Sequence, residues 1–239
     1  MIDSVNNEKI VYFRKLREAK YIKEEGKYIV ETEHLVNEAY NAGILESLII
    51  ENSTDFDLDV PKTIVSRKCM EKISLLKNAP SVMGVVKLKE NNTIKGKKIV
   101  ILDNVQDPGN VGTIIRSSLA FNVDTVVLSK DSVNVFNDKL IRSSEGTIFN
   151  VNIVVMDTLE AINTLHEMKI DVYYADMYGE KEVSEIKPER YALVLGSEGK
   201  GISKAVKEMA DKGVKLQMNS KCESLNVAVA GSIIMHAWR

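Results

Sequence analysis

Arg116 stands where a cation is unexpected. It closes the segment DNVQDPGNVGTIIR, which begins at Asp103. The apolar run Ile99 to Leu102 reads as a buried strand. Asp107-Pro108-Gly109-Asn110 is turn chemistry, since Pro fixes φ at the second turn position and Gly supplies a positive φ at the third. Thr113 is then expected to cap a helix that carries Ile114, Ile115, Leu119 and Ala120 inward and stops at Asn122. On that reading Arg116 sits in the first turn and opposes the helix dipole, at a cost of about 0.3 kcal/mol or more. A guanidinium meeting an anion at the mouth of a parallel sheet accounts for it. A surface Arg snorkelling over its own helix accounts for it equally well.

Two other stretches could carry chemistry. In ALVLGSEGKGIS a strand empties into Gly196, Gly199 and Gly201 around Glu198. Such a loop allows close backbone approach, with free N–H groups, to a ligand. It is no dinucleotide fingerprint and no phosphate-binding P-loop. By itself Glu198 is equally a solvated loop carboxylate. In KLQMNSKCESLNVAVAGSIIMHAW, Ser224-Leu225-Asn226 starts a helix whose first turns are all small or β-branched: Val227, Ala228, Val229, Ala230, Gly231, Ser232. Small residues permit tight packing on a sheet or on a partner chain, and Ser224 alone reads best as an N-cap.

The elements that position these residues form an α/β pattern. Thr125 to Leu128, Val151 to Val155, Val172 to Ala175, Tyr191 to Leu195 and Val214 to Met218 read as strands. Helices are expected at 137 to 144, carrying Arg142, and at 158 to 168. A mainly parallel sheet of about six strands with helices on both faces follows. Ahead of it, residues 1–90 form a smaller α/β module: strands near Tyr28, Leu48, Thr63 and Val82, with helices capped by Thr32 and Ser66. The polar segment 91–98 reads as a linker, and the second domain as 99–239.

Composition bounds the class. The chain has 239 residues and a net charge of −2, so nothing global announces a nucleic-acid partner. Residues 9–27 differ, with seven cations against three carboxylates and Tyr12, Phe13 and Tyr21 interleaved. Arg14, Lys15 and Arg17 lie in this stretch, which suits RNA held by charge and stacking. A solvated amphipathic helix with inward aromatics suits it slightly better. Cys69 and Cys222 are far apart without metal spacing and read as reduced thiols, and His34, His166 and His236 stand alone. No metal and no membrane span are expected, and a cytoplasmic location is.

The segments DNVQDPGNVGTIIR, LVLGSEGKGIS and SLNVAVAG, in that order and spacing, resemble the three motifs of the SpoU (TrmH) family of RNA 2′-O-ribose methyltransferases. The first domain is similar, more weakly, to the L30e-like substrate-binding domain of members acting on 23S rRNA. The resemblance implies a C-terminal trefoil knot, a homodimer, and S-adenosylmethionine held by the backbone around Leu195, Gly196, Leu216, Met218 and Leu225. It implies catalytic polar residues at Asn110, Arg116, Glu198, Ser224 and Asn226. RNA contacts are expected at Arg14, Lys15 and Arg17, from the local excess of positive charge, and at Arg142. Arg116 is expected to stabilise the ribose alkoxide while an RNA phosphate takes the proton, since a guanidinium with a pKa above about 12 donates only. Asn110 is expected to hold Arg116, Ser224 and Asn226 to orient the ribose, and Glu198 to order the glycine loop. A tRNA substrate, or a non-catalytic RNA-binding relative, are the alternatives. The family's I-P-M reads Leu216-Gln217-Met218 here, a usual Gly is Ser220, a usual Ser is Ala228, and Thr32 stands where an E-G pair is common.

Overall fold

A computed structural model describes residues 1–89 and 91–239. The chain divides into two units, Met1–Glu90 and Asn91–Arg239. Glu90, which the first-domain expectation includes, lies outside the described residues. No helix among the described residues is long and apolar enough to cross a membrane.

In the first unit, α1 (Glu8–Lys15) and α2 (Ala19–Glu25) precede β1 (Lys27–Glu31), α3 (Glu33–Asn41), β2 (Leu45–Glu51), β3 (Lys62–Val65), α4 (Arg67–Ile73) and β4 (Val82–Lys87). The sheet order is β1-β4-β2-β3, antiparallel except for the β2–β3 pair. Phe13 is buried with Ile10 and Leu16, so the basic stretch is in part the amphipathic helix that the alternative reading described.

One expectation is overturned here. Arg17 is not on the basic surface. Its side chain is 8% exposed and pairs with Glu31 at 2.7 Å, while Nε and Nη1 donate to the carbonyls of Ile73 and Ile29 at 3.2 and 3.1 Å. Glu31 is itself buried and also accepts from the Leu75 N–H at 2.9 Å and from the Ser74 hydroxyl. A buried cation is tolerated only when its donors are satisfied. Arg17 therefore ties the link between α1 and α2 to β1 and the end of α4 rather than meeting a phosphate.

The second unit runs β5 (Lys98–Asp103), α5 (Pro108–Ala120), β6 (Thr125–Leu128), α6 (Asp138–Ser143), β7 (Asn152–Val155), α7 (Thr158–Glu167), β8 (Val172–Ala175), β9 (Lys181–Glu182), β10 (Tyr191–Gly196), α8 (Lys204–Met209), β11 (Lys212–Lys215) and α9 (Val227–Ala237). Its strands lie in the order β7-β6-β5-β10-β8-β11-β9, and each adjacent pair is parallel. One core face carries Val100, Leu102, Ile114, Leu193 and Met235; the other carries Ile99, Ile101, Ile162 and Val206. Helices thus cover both faces, α5 and α9 on one and α7 and α8 on the other. Trp238 fastens the end of α9, packing edge-on to Tyr173 and Tyr191 at 5.1 and 5.0 Å and donating Nε1–H to the Val183 carbonyl.

Two local expectations give way. The strand expected over Val214 to Met218 is Lys212–Lys215, so Leu216 and Met218 are loop residues. The α5 helix starts at Pro108, with Asp107 as N-cap accepting the Asn110 N–H. Pro at the first helical position already has the required φ and lacks an N–H that would go unpaired. Thr113 lies inside the helix, and Leu119 and Ala120 face outward.

Thr32 marks a strained point. It adopts φ 85° and ψ 146° while its Oγ1 accepts the Leu35 N–H at the start of α3. A β-branched residue is an outlier there, and the family's pair ends in the one residue that tolerates it. Thr32→Gly should stabilise the unit by about 1 kcal/mol, because relief of strain exceeds the weak cap. Thr32→Ala keeps the strain, loses the cap and should destabilise it by about 1 kcal/mol. Thermal melting separates the two signs.

Candidate active site

The loops that leave β5, β10 and β11 carry the three chemically suggestive segments to one end of the sheet, where parallel sheets bind ligands. After β10, Gly201 closes the loop on itself, donating its N–H to the Ser197 carbonyl at 2.8 Å with φ 64°. Gly196 lies against that turn so closely that a Cβ on it would come within 2.5 Å of the Gly201 carbonyl carbon. A Cβ on Gly231 would meet Leu195 Cδ1 at 2.5 Å, which is how closely α9 approaches β10.

The three segments meet at one carboxylate. Asn110 Nδ2 donates to Glu198 Oε1 at 2.7 Å, and Asn226 Nδ2 donates to the same oxygen at 2.8 Å. Asn226 Nδ2 also donates to Asn110 Oδ1 at 3.0 Å. The Asn226 amide cannot be turned over. Its Oδ1 caps α9, accepting from the Ala228 and Val229 N–H groups at 2.9 and 3.3 Å. Asn226, not Ser224, is therefore the N-cap. Asp107, one turn before Asn110, has its carboxyl held below the usual range by the Asn110 N–H it accepts.

Beneath this cluster lies a cavity of about 550 Å³ lined by Leu195, Gly196, Leu216, Met218 and Leu225 together with Glu198, Ser224 and Asn226. That volume and a lining of apolar side chains with few polar groups suit a small organic ligand. Every expected cofactor residue faces it. Among the expected catalytic residues, Asn110 reaches the cavity only through Glu198 and Asn226.

Arg116 departs from expectation. It lies in the third turn of α5, so no dipole penalty applies. Its guanidinium is exposed, makes no hydrogen bond or ion pair with the described residues, and is absent from the cavity lining. Asn110 does not hold it. Arg142 is half-buried and pairs with Asp138 in its own helix. Arg14 and Lys15 are exposed, with Lys15 Nζ 5.4 Å from the Tyr21 ring centroid.

The sequence reading missed one wall. Asp176, Met177 and Tyr178, just past β8, and Lys207 of α8 also line the cavity. Asp176, Met177 and Tyr178 carry a readable signal: they follow the C-terminal end of a parallel strand, as the recognised loops do.

A wholly parallel sheet with helices on both faces, and a cavity under a motif-built polar cluster at its C-terminal end, defines the class as an α/β ligand-binding enzyme fold. The chain belongs to the SpoU rRNA methylase family, whose model matches residues 97–236. Residues 7–84 match an MRM3-like substrate binding domain. The chain is 29% identical over 244 residues to the 23S rRNA (guanosine(2553)-2′-O)-methyltransferase RlmP of Bacillus subtilis (strain 168), covering 100% of this chain and 98% of the relative. A TrmH-family structure from Porphyromonas gingivalis superposes with a TM-score of 0.87 at 29% identity, covering 99% of this chain and 98% of that one. The fold is shared with the SpoU methyltransferase AviRb of Streptomyces viridochromogenes in complex with AdoMet, at a TM-score of 0.86 and 20% identity, over 97% of each chain.

The double use of Asn226 is testable by melting alone. Asn226→Ala loses cap and network and should cost about 1–2 kcal/mol. Asn226→Asp keeps the cap but sets a carboxylate against Glu198. Its melting temperature should fall at neutral pH and recover as the pH is lowered toward 4, whereas that of Asn226→Ala should not recover.

Proposed function

We propose that the chain transfers a methyl group from S-adenosylmethionine to a ribose 2′-hydroxyl of RNA, with 23S rRNA as the substrate class. The observation that carries this reading is the convergence of Asn110, Glu198 and Asn226 on one lip of the cavity that Leu195, Gly196, Leu216, Met218 and Leu225 line. Family membership and the Bacillus subtilis relative support the RNA class. Methylation of total RNA with labelled S-adenosylmethionine, followed by mapping of 2′-O-methyl positions, tests it. Absence of label in every RNA fraction, with the protein folded, overturns it.

The cavity fits the methyl donor in size and in its largely apolar lining. Bound there, S-adenosylmethionine supplies an electrophilic methyl group on a sulfonium. The residues of the chain do the positioning, a contribution of up to about 7–11 kcal/mol for well-aligned reactants. Glu198, held by two amides, fixes the glycine loop; Ser224 presents a hydroxyl at the lip for the ribose, and Asn226, whose amide is committed to Glu198, Asn110 and the α9 cap, acts by holding that lip in place. Arg116 stabilises the developing alkoxide and pairs with the RNA phosphate that receives the proton of the ribose 2′-hydroxyl.

Homodimer formation is part of the proposal. Val229 and Ile233 stand one turn apart on α9 and are 47% and 44% exposed, and Leu119 is exposed on the neighbouring α5. Arg116 does not line the cavity of its own chain, so a second copy covering this stripe would complete the site. The C-terminal knot belongs to the same reading, supported by the shared cavity of the loops after β10 and β11. The first unit, with its mixed four-stranded sheet, serves as the L30e-like RNA substrate-binding domain. A cytoplasmic location follows from an rRNA substrate.

Arg116→Ala should cut turnover by roughly 10²-fold or more, comparable to the loss of an oxyanion donor, with little change in S-adenosylhomocysteine affinity. Arg116→Lys keeps the charge without the fork and should rescue poorly. If Arg116 acts across a dimer, mixing Arg116→Ala with Asn226→Ala protein should restore activity that neither has alone. Near-wild-type turnover by Arg116→Ala removes it from the mechanism.

The RNA surface is narrower than the charge count implied. With Arg17 buried and Lys27 paired to Glu46 at 2.7 Å, the exposed cations are Lys9, Arg14, Lys15, Lys20 and Lys23. Arg14→Glu with Lys15→Glu should weaken RNA binding, and salt should do so steeply in the wild type. Arg17→Glu should instead lower the melting temperature. A salt-independent affinity moves RNA contact away from this surface.

A further inference from the structure

One wall of the cavity belongs to none of the three motifs. Asp176 follows β8 and is held from three sides. Its main-chain N–H donates to the Val214 carbonyl at 2.9 Å, and its Oδ1 accepts the Tyr178 N–H at 2.8 Å. Its Oδ2 pairs with Lys207 Nζ, which stands 5.9 Å from the Tyr174 ring centroid. Gly179 completes the turn: a Cβ there would come within 2.5 Å of the Val214 carbonyl carbon. The Asp176 side chain is 17% exposed, and the residue lines the cavity. Burial pushes its carboxyl up, but Lys207 and the Tyr178 N–H outweigh it and hold the group below the usual carboxylate range.

This is a fixed, ionised carboxylate whose charge is already matched. A carboxylate offers about four acceptor positions, and two are taken here. What remains is a pair of adjacent acceptors beside an ammonium. A second cation, such as the α-ammonium of an amino acid, would be repelled by Lys207. A neutral vicinal diol would not, and its two donors match two acceptors. Carboxylates at the ends of parallel strands hold ribose hydroxyls in dinucleotide-binding sheets for the same reason.

We propose that Asp176 is the ribose ligand of this cavity, accepting hydrogen bonds from the 2′- and 3′-hydroxyls of the adenosyl group, with Lys207 as its positioning residue. The proposal rests on the reading of the cavity as the S-adenosylmethionine site. It adds a specificity residue outside the three motifs, and it makes the nucleoside, not the amino-acid tail, the part that β8 recognises.

The test is calorimetric titration of the full chain with S-adenosylhomocysteine, adenosine and 2′,3′-dideoxyadenosine. Wild type should prefer adenosine over the dideoxy compound by roughly tenfold or more, as expected for charge-assisted hydrogen bonds. Asp176→Ala should erase that preference while binding dideoxyadenosine about as wild type does. Lys207→Met should reduce the preference, and Lys207→Arg should restore it, which a merely structural lysine would not do. The wild-type comparison of the two nucleosides stands even if a variant fails to fold. Wild type that binds S-adenosylhomocysteine but treats the nucleosides alike overturns the assignment of Asp176 alone. Wild type that binds neither S-adenosylhomocysteine nor adenosine overturns the cofactor reading itself.

Discussion

The second unit depends on a carboxylate that has to be held. Glu198 sits on a glycine-rich loop with no secondary structure of its own, and two amides fix it, one from 88 residues before it and one from 28 residues after it. Charge-assisted hydrogen bonds to a carboxylate are shorter and stronger than neutral ones. Neither amide is free to swing. Asn110 is one turn into α5, behind a Pro108 start and an Asp107 cap, and Asn226 spends its other end capping α9. The cluster therefore transmits the positions of two helices to one loop. That rigidity lets a loop rather than a helix or strand carry a site.

How much of this was legible in the sequence follows from how local each signal is. Strands β5, β6, β8 and β10 are short apolar runs with turn chemistry after them, and they fall within a residue or two of expectation. The start of α5 was misplaced because Pro108 and Gly109 read first as a turn, although Pro at the first helical position favours a helix. That error changed the chemistry: it put Arg116 against a dipole end that lies two turns away. The lip of the cavity was readable from three motifs, but its partners were not. Asn110 was assigned to Arg116, a neighbour in sequence, and it bonds instead to residues 88 and 116 positions away.

Charge counting failed in the first unit for a related reason. A sum over residues 9–27 treats each cation as solvent-facing, yet Arg17 has four potential partners within reach: Glu31, the carbonyls of Ile29 and Ile73, and the Met83 sulfur at 3.8 Å. A guanidinium's five donors suit it to such a buried junction better than a lysine's compact ammonium would. The residue next to its partner Glu31 is Thr32, forced to a positive φ where β1 turns into α3. The junction is thus over-determined: a buried ion pair and a strained backbone step meet at adjacent residues. Such strain persists only where the surroundings fix it, and the Arg17–Glu31–Ser74 cluster supplies that constraint.

The same logic separates the two halves of the cavity. Its motif side presents the apolar side chains of Leu195, Leu216, Met218 and Leu225, with Glu198 and Asn226 at the lip already committed to one another. Its β8 side presents one ionised side chain held by an ammonium and a main-chain N–H, and that ammonium lies near the Tyr174 ring. A shape-based wall gives affinity with little discrimination among flat apolar ligands, whereas buried polar groups reject any ligand that leaves them unpaired. On the proposal that Asp176 holds the ribose, selectivity for a ribonucleoside comes from the wall that the motifs do not describe.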